Sequence, residues 1–196
     1  MNQQEIISKT AEYVKSTLEN EGSGHDWVHI ETVWMMAKDI ADTEPNADKY
    51  VVELGALLHD IADWKDNDGS FEVGMKAARE WLEKNGVEQD VVEKVVQIVG
   101  NISFTGVNAK EKMLSLEGLI VRDDDRLEAI GERGVERTLK FGEKRGQPMI
   151  NEFLPDLGES EEKYKDYQRK EKSTINHFFE KLLLLKSGLH TQKAKE

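Results

Sequence analysis

The chain has 196 residues, no cysteine and a formal net charge of -12. The length suits one compact domain with a real core, and the lack of thiols excludes disulfides, cysteine-ligated zinc and iron–sulfur clusters, so any metal must rest on His, Asp, Glu or backbone ligands. The acidity excludes gripping a nucleic acid polymer through a broad basic face, which needs clustered Lys and Arg, but leaves room for a small phosphorylated substrate met by a cation in a pocket.

The chain opens on MNQQEIISKTAEYVK, polar and mixed in charge, with no apolar stretch of the kind a secretion signal carries. Apolar runs such as Leu182 to Leu185 fall far short of the ~20 residues a membrane helix needs. The expectation is a cytoplasmic protein that does not engage a membrane.

Helical spacing dominates from the start, and strand-like alternation is hard to find. A first helix is expected from about Gln3 to Glu19, stopping at Asn20 and Gly22. A second begins near His25 or Asp26, with Val33, Met36 and Ile40 as its apolar stripe and His29 on the same side. A third spans roughly Ala47 to Ile61, with Val51, Leu54, Leu58 and Ile61 inward. A fourth runs from about Phe71 to Lys84, closed by Asn85-Gly86. A fifth covers about Glu88 to Ile102, and a sixth Leu116 to about Ile130, followed by short helical turns to Phe141. The segment 144–172 holds Pro148, Pro155 and a dense charge run, and is expected as a surface excursion. A last core helix starts with Ser173 or Thr174 as its cap and carries Ile175, Phe178, Phe179, Leu182 and Leu185. The fold class expected is all-α: one domain over 1–196, with its core at about 21–143 plus 173–186.

Only five histidines occur, at 25, 29, 59, 177 and 190. His29 falls on the apolar side of its helix, and His59-Asp60 closes the apolar third helix. A buried Asp beside a buried His is expensive unless something positive neutralises it, and a divalent cation accepts imidazole and carboxylate together. Each feature alone has an ordinary explanation. A lone inward His is commonly a satisfied core residue, a His-Asp dipeptide arises by chance, and Asp123-Asp124-Asp125 reads as a solvated helix start. Together they form the ordered series H…HD…D.

That series, in the segments GHDWVHIETVW, LLHDIADWK, NISF, SLEGLIVRDDDRLEAIG and STINHFFEKLLLLK, resembles the HD-domain phosphohydrolase superfamily, in its branch of small single-domain bacterial proteins. The resemblance implies an HD-type helical bundle with His29, His59, Asp60 and Asp125 as metal ligands. Arg122 to Glu128 reads RDDDRLE where the branch resembles QDADRLD, so Asp124 stands in place of a small residue. Two-metal members of the superfamily insert two further histidines between the HD pair and the last Asp. None lies between His59 and Asp125 here, which implies one divalent ion: Mn, Ni, Co, Fe, Zn or Mg, with the imidazoles favouring the softer transition metals.

The same resemblance nominates the groups around the ion. Asp63 is the expected general acid or base; His25 and Lys65 are expected to stabilise phosphoryl charge, although Lys65 reads equally well as an exposed loop lysine. Asn101 and Ser103 would bond the substrate or cap the fifth helix. His177 and Lys181, four apart on the last helix, would approach phosphate groups. Arg126 is expected to pair with the acidic cluster. The implied activity is metal-assisted hydrolysis of a nucleotide, with a nucleoside triphosphate cleaved to monophosphate and pyrophosphate favoured. A nucleoside monophosphate phosphatase and a non-catalytic nucleotide-sensing module are the alternatives. Trp34 or Trp64, if exposed, would suit a homodimer interface, with core packing the default.

Overall fold

The computed structural model describes residues 1–19, 26–62, 72–104, 113–151 and 173–196. Among the described residues the structure is helical, without strands, and no helix is long and apolar enough to cross a membrane. Helix α1 is Gln3–Thr17, α2 Trp27–Ala41, α3 Lys49–Leu58, α4 Glu72–Lys84, α5 Gln89–Asn101, α6 Leu116–Ile130 and α7 Glu132–Lys144. A composite helix, α8, covers residues 176–188, and a short α9 covers Gln192–Lys195.

Caps explain where the elements that carry chemistry begin. Asp26 caps α2 by accepting from the backbone N–H of His29 at 3.1 Å. Asp48 caps α3 through Tyr50 N–H and Val51 N–H, and its own N–H donates to Glu117 Oε1 of α6 at 3.1 Å. Ser115 caps α6 through Gly118 N–H. Gly86, at φ 73°, takes the left-handed conformation that stops α4, as the Asn-Gly pair suggested.

Helix α3 is the hub. Of its residues, Tyr50, Val51, Val52, Leu54, Gly55, Ala56, Leu57 and Leu58 are all buried. A helix apolar on every side belongs in the interior, and α3 is packed against α1, α2, α5 and α6. Gly55 sits at the crossing: a Cβ there would lie 3.1 Å from Ile98 Cδ1 of α5 and 3.5 Å from Val121 Cγ2 of α6. The absent side chain lets α3, α5 and α6 converge, and α2 packs on both α3 and α6, so the C-terminal end of α3, the middle of α6 and the start of α2 come to one place.

Two elements differ from the sequence expectation. The short turns expected after Ile130 are the full helix α7. Gly131, at φ -80° and ψ 178°, breaks α6 and starts the new helix. The buried residues of α7 are Gly134 and Gly142, which read as helix breakers inside an otherwise amphipathic stretch. The last core helix begins as expected after Ser173, whose hydroxyl accepts from Asn176 N–H at 3.4 Å. It then passes through a π-helical stretch, Phe178–Leu182, that spacing did not foretell. Of the surface excursion expected at 144–172, residues 152–172 lie outside the described residues.

Candidate metal centre

His29 is on the first turns of α2, His59 and Asp60 directly follow α3, and Asp125 is mid-way along α6. Their donor atoms converge. The two Nε2 atoms stand 3.2 Å apart. Asp60 Oδ2 is 3.4 Å from His29 Nε2 and 3.5 Å from His59 Nε2. Asp125 Oδ1 is 3.7 Å and 4.0 Å from the same two atoms. Donors at ~2.1 Å from a shared cation stand about 3.0 Å apart at cis octahedral positions, about 3.4 Å in a tetrahedron and about 4.2 Å when trans. The observed spread matches that range, so this donor set fits a divalent cation. His29, His59 and Asp125 form a cluster able to hold a metal ion, with Asp60 beside both imidazoles.

The imidazoles are oriented from behind. His59 Nδ1 is 2.7 Å from the Ala56 carbonyl oxygen; with its N–H donated there, the Nε2 lone pair faces the cluster. His29 Nδ1 lies 3.2 Å from Glu128 Oε2, and Arg137 Nη2 of α7 donates to the same oxygen at 2.7 Å. Both histidines are buried, at 2 % and 5 % exposure, whereas Asp60 and Asp125 keep 14 % and 23 % of their side chains exposed. The carboxylate side of the cluster is therefore its open side.

The electrostatics ask for positive charge. Burial lowers the His29 pKa, but the bonds to Asp60 and Glu128 outweigh it and the ring is pushed up to about 9. Burial alone would raise Asp125; the positive potentials of His59 and His29, with a further contribution from Lys181, hold its carboxyl below the usual range.

The acidic trio that read as a solvated helix start is interior. Asp123 and Asp124 are fully buried, and each of the three has its own surroundings. Asp125 joins the cluster. Asp123 clasps the C-terminal segment: it accepts from His190 N–H at 2.9 Å, Thr191 N–H at 2.7 Å and the Thr191 hydroxyl at 2.8 Å. Asp124 has no hydrogen-bond partner on either oxygen, and burial, reinforced by Asp123, Asp125 and Asp39, pushes its pKa up to about 9.

The remaining candidates are distributed as follows. His177 and Lys181 are half-buried on α8, His177 just before and Lys181 within the π-helical stretch. The ammonium of Lys181 lies close enough to act on Asp125. Asn101 ends α5 and donates its amide to Gln97 O at 2.7 Å, the capping alternative, and half-buried Ser103 follows it. Arg126, expected to pair with the acidic cluster, is buried and donates to the Gly188 carbonyl at the end of α8. Trp34 packs against the core with its indole N–H donating to Glu53 at 2.9 Å. His25, Asp63, Lys65 and Trp64 lie outside the described residues. Sequence reasoning passed over Glu128 and Arg137. Glu128 was legible in one respect: it stands three residues after Asp125, on the same helix face.

Comparison with known proteins gives a consistent result. The HD domain family matches residues 27–130. The Bacillus subtilis protein YpgQ is 35% identical over 186 residues, covering 94% of this chain and 80% of the relative. A crystal structure of an HD-superfamily hydrolase from Bacillus thuringiensis is 36% identical, with a TM-score of 0.69 over 99% of this chain and 87% of that one. A Lactobacillus plantarum protein superposes with a TM-score of 0.83 at 27% identity, covering 100% of this chain and 89% of that one. YpgQ in complex with ADP superposes with a TM-score of 0.70 at 29% identity, over 96% and 86% of the two chains.

Proposed function

This chain belongs to the HD domain family and has the fold of HD-superfamily hydrolases, and we propose that it is a single-domain, metal-dependent nucleotide phosphohydrolase whose one cation is held by His29, His59, Asp60 and Asp125. The observation that carries the reading is the convergence of two imidazole Nε2 atoms, 3.2 Å apart, with Asp60 Oδ2 within 3.5 Å of both. The ion is Mn, Ni, Co, Fe, Zn or Mg, with the imidazoles favouring the softer transition metals. When bound, such a cation supplies Lewis acidity toward a phosphoryl oxygen and makes water more acidic.

The chain's own groups do the rest. His59 turns its Nε2 to the cluster because its Nδ1 is bonded to the Ala56 carbonyl behind it, and His29 does so with its Nδ1 3.2 Å from Glu128 Oε2. Asp60 and Asp125, on the more exposed side, balance the cation's charge and leave that side for substrate. Lys181, which already acts on Asp125, is placed to meet non-bridging phosphoryl oxygens, with His177 one turn before it. Asp63, two residues beyond the HD pair, is the group assigned to move a proton, and His25 and Lys65 are assigned to phosphoryl charge.

The substrate favoured is a nucleoside triphosphate, cleaved to monophosphate and pyrophosphate. The ADP complex of YpgQ supports a nucleotide for this chain. The test is a panel of nucleoside mono-, di- and triphosphates with added Mn²⁺, Co²⁺, Ni²⁺ or Mg²⁺, scored for pyrophosphate and for phosphate. Pyrophosphate from triphosphates supports the reading. Phosphate from monophosphates would replace it with a phosphatase. No product above a His59→Ala, Asp60→Ala control would leave only a nucleotide-binding module.

A further inference from the structure

The two histidines of the cluster are backed by different chemistry. His59 Nδ1 meets a neutral backbone carbonyl, Ala56 O, at 2.7 Å. His29 Nδ1 meets a carboxylate, Glu128 Oε2, at 3.2 Å. That carboxylate is 3% exposed and does not act alone, because Arg137, 16% exposed, donates to the same oxygen at 2.7 Å. One buried oxygen thus lies between an imidazole that faces the cluster and a guanidinium from another helix.

The placement of Arg137 is built into the backbone. It comes from α7, which packs on α6 directly after the Gly131 break. At Gly134, a Cβ would lie 2.0 Å from the Ala129 carbonyl oxygen, so only glycine allows α7 to come this near. Arg137 is three residues further on, the spacing that keeps it on the same face as Gly134. Two features of α7 that look unremarkable in sequence, a glycine and an arginine, serve one contact to Glu128.

A carboxylate behind a ligating imidazole fixes the ring's tautomer and orientation and raises its strength as a donor. A guanidinium on the same carboxylate draws part of that charge away. We propose that Glu128 is a positioning residue for the cation, strengthening His29 as a ligand, and that Arg137 moderates it by drawing off part of the carboxylate's charge. The proposal rests on the cation site described above.

The test measures Mn²⁺ affinity of metal-stripped protein by titration calorimetry across pH 7 to 9, comparing plateau values so that proton competition for His29 drops out, alongside thermal melts of the same stripped samples. Glu128→Gln keeps the shape and removes the charge, and its Mn²⁺ dissociation constant is expected to weaken about 10- to 100-fold. Glu128→Asp, which keeps the charge, recovers part of that loss. Arg137→Met leaves Glu128 on His29 and binds Mn²⁺ at least as tightly as wild type; weaker binding in this variant overturns the moderating role of Arg137. The double variant Glu128→Gln, Arg137→Met removes both buried charges together, so it keeps the result readable if Glu128→Gln alone unfolds; it is expected to melt cooperatively and still bind weakly. Wild-type affinity within twofold in Glu128→Gln, or in the double variant, overturns the positioning role while leaving the cation site intact. Wild-type protein that takes up no cation overturns both.

Discussion

With the proposed cation on His29, protons and metal would compete for the same ring, and the competition has a predicted size. Two carboxylates, Asp60 and Glu128, push the His29 pKa up to about 9 in the cation-free protein. A cation can use His29 Nε2 only when the ring has lost that proton. At pH 7 the ring is two units below its pKa, so about one molecule in a hundred is competent, and apparent affinity is lowered by about 100-fold, or about 2.7 kcal/mol. The dissociation constant should therefore tighten about tenfold per pH unit from pH 6.5 to 8.5 and level off near 9. Binding near pH 7.5 should release about one proton from this group, seen by calorimetry in buffers of different ionisation enthalpy. The same shift acts on folding. The raised His29 pKa stabilises the cation-free protein fully below the unfolded value of 6.5, and this contribution is lost as pH rises through about 9. Saturating Mn²⁺ should cancel that loss. A dissociation constant that stays flat from pH 6.5 to 8.5, without proton release, would mean that His29 carries no proton the cation must displace.

Two further predictions concern the neighbours of Asp125. Asp124 is buried without a hydrogen-bond partner, a situation that costs about 1–3 kcal/mol. Near pH 5, Asp124→Ala should raise stability by about 1 kcal/mol after the cavity is counted, hence raise Tm by about 3 °C in a chain of this size, and by more as pH rises. Because the Asp124 pKa is raised to about 9, the wild-type chain loses stability as pH rises between the unfolded value and 9, by up to about 1.4 kcal/mol per unit, and the variant should show a shallower slope in urea melts. An unchanged slope would mean the carboxyl is solvated. Asp123→Ala removes the acceptor that holds His190 and Thr191. Tryptic cleavage at Lys186 and Lys193 should accelerate at least tenfold, scored by mass spectrometry, while Mn²⁺ affinity changes by less than threefold.

Much of the fold could be read directly because its signals are local. Asp26, Asp48 and Ser115 cap the three helices that build the cluster, and each is visible as a capping residue before an apolar run. The inward His29 and the His59-Asp60 pair closing an apolar helix show an electrostatic need in the sequence itself, whereas Asp125 was singled out by the family resemblance; the fold brings the donor atoms of all four together. Helix α7 was hidden because glycines make its closest contacts: Gly134 against Ala129, and Gly142, where a Cβ would lie 2.0 Å from Thr174 Oγ1. Glycine reads as a helix breaker, and here it is what permits the packing. The burial of Asp123 was illegible for another reason: its partners, His190 and Thr191, are 67 and 68 residues away in the chain. A run of three aspartates advertises solvent unless those distant partners are known. Glu128 fell between the two cases, on the right face of α6 but with a partner, Arg137, on a helix the spacing did not reveal.

A stoichiometric reactivation tests the single-cation site most directly. Protein stripped of metal is mixed with rising Mn²⁺, and pyrophosphate release from a nucleoside triphosphate is followed at each step. A one-cation hydrolase gives no activity at zero equivalents, a rise that ends at one equivalent per chain, and no rise in the His59→Ala, Asp60→Ala variant. Turnover by the stripped protein, or activity that continues to climb to two equivalents, would contradict that reading.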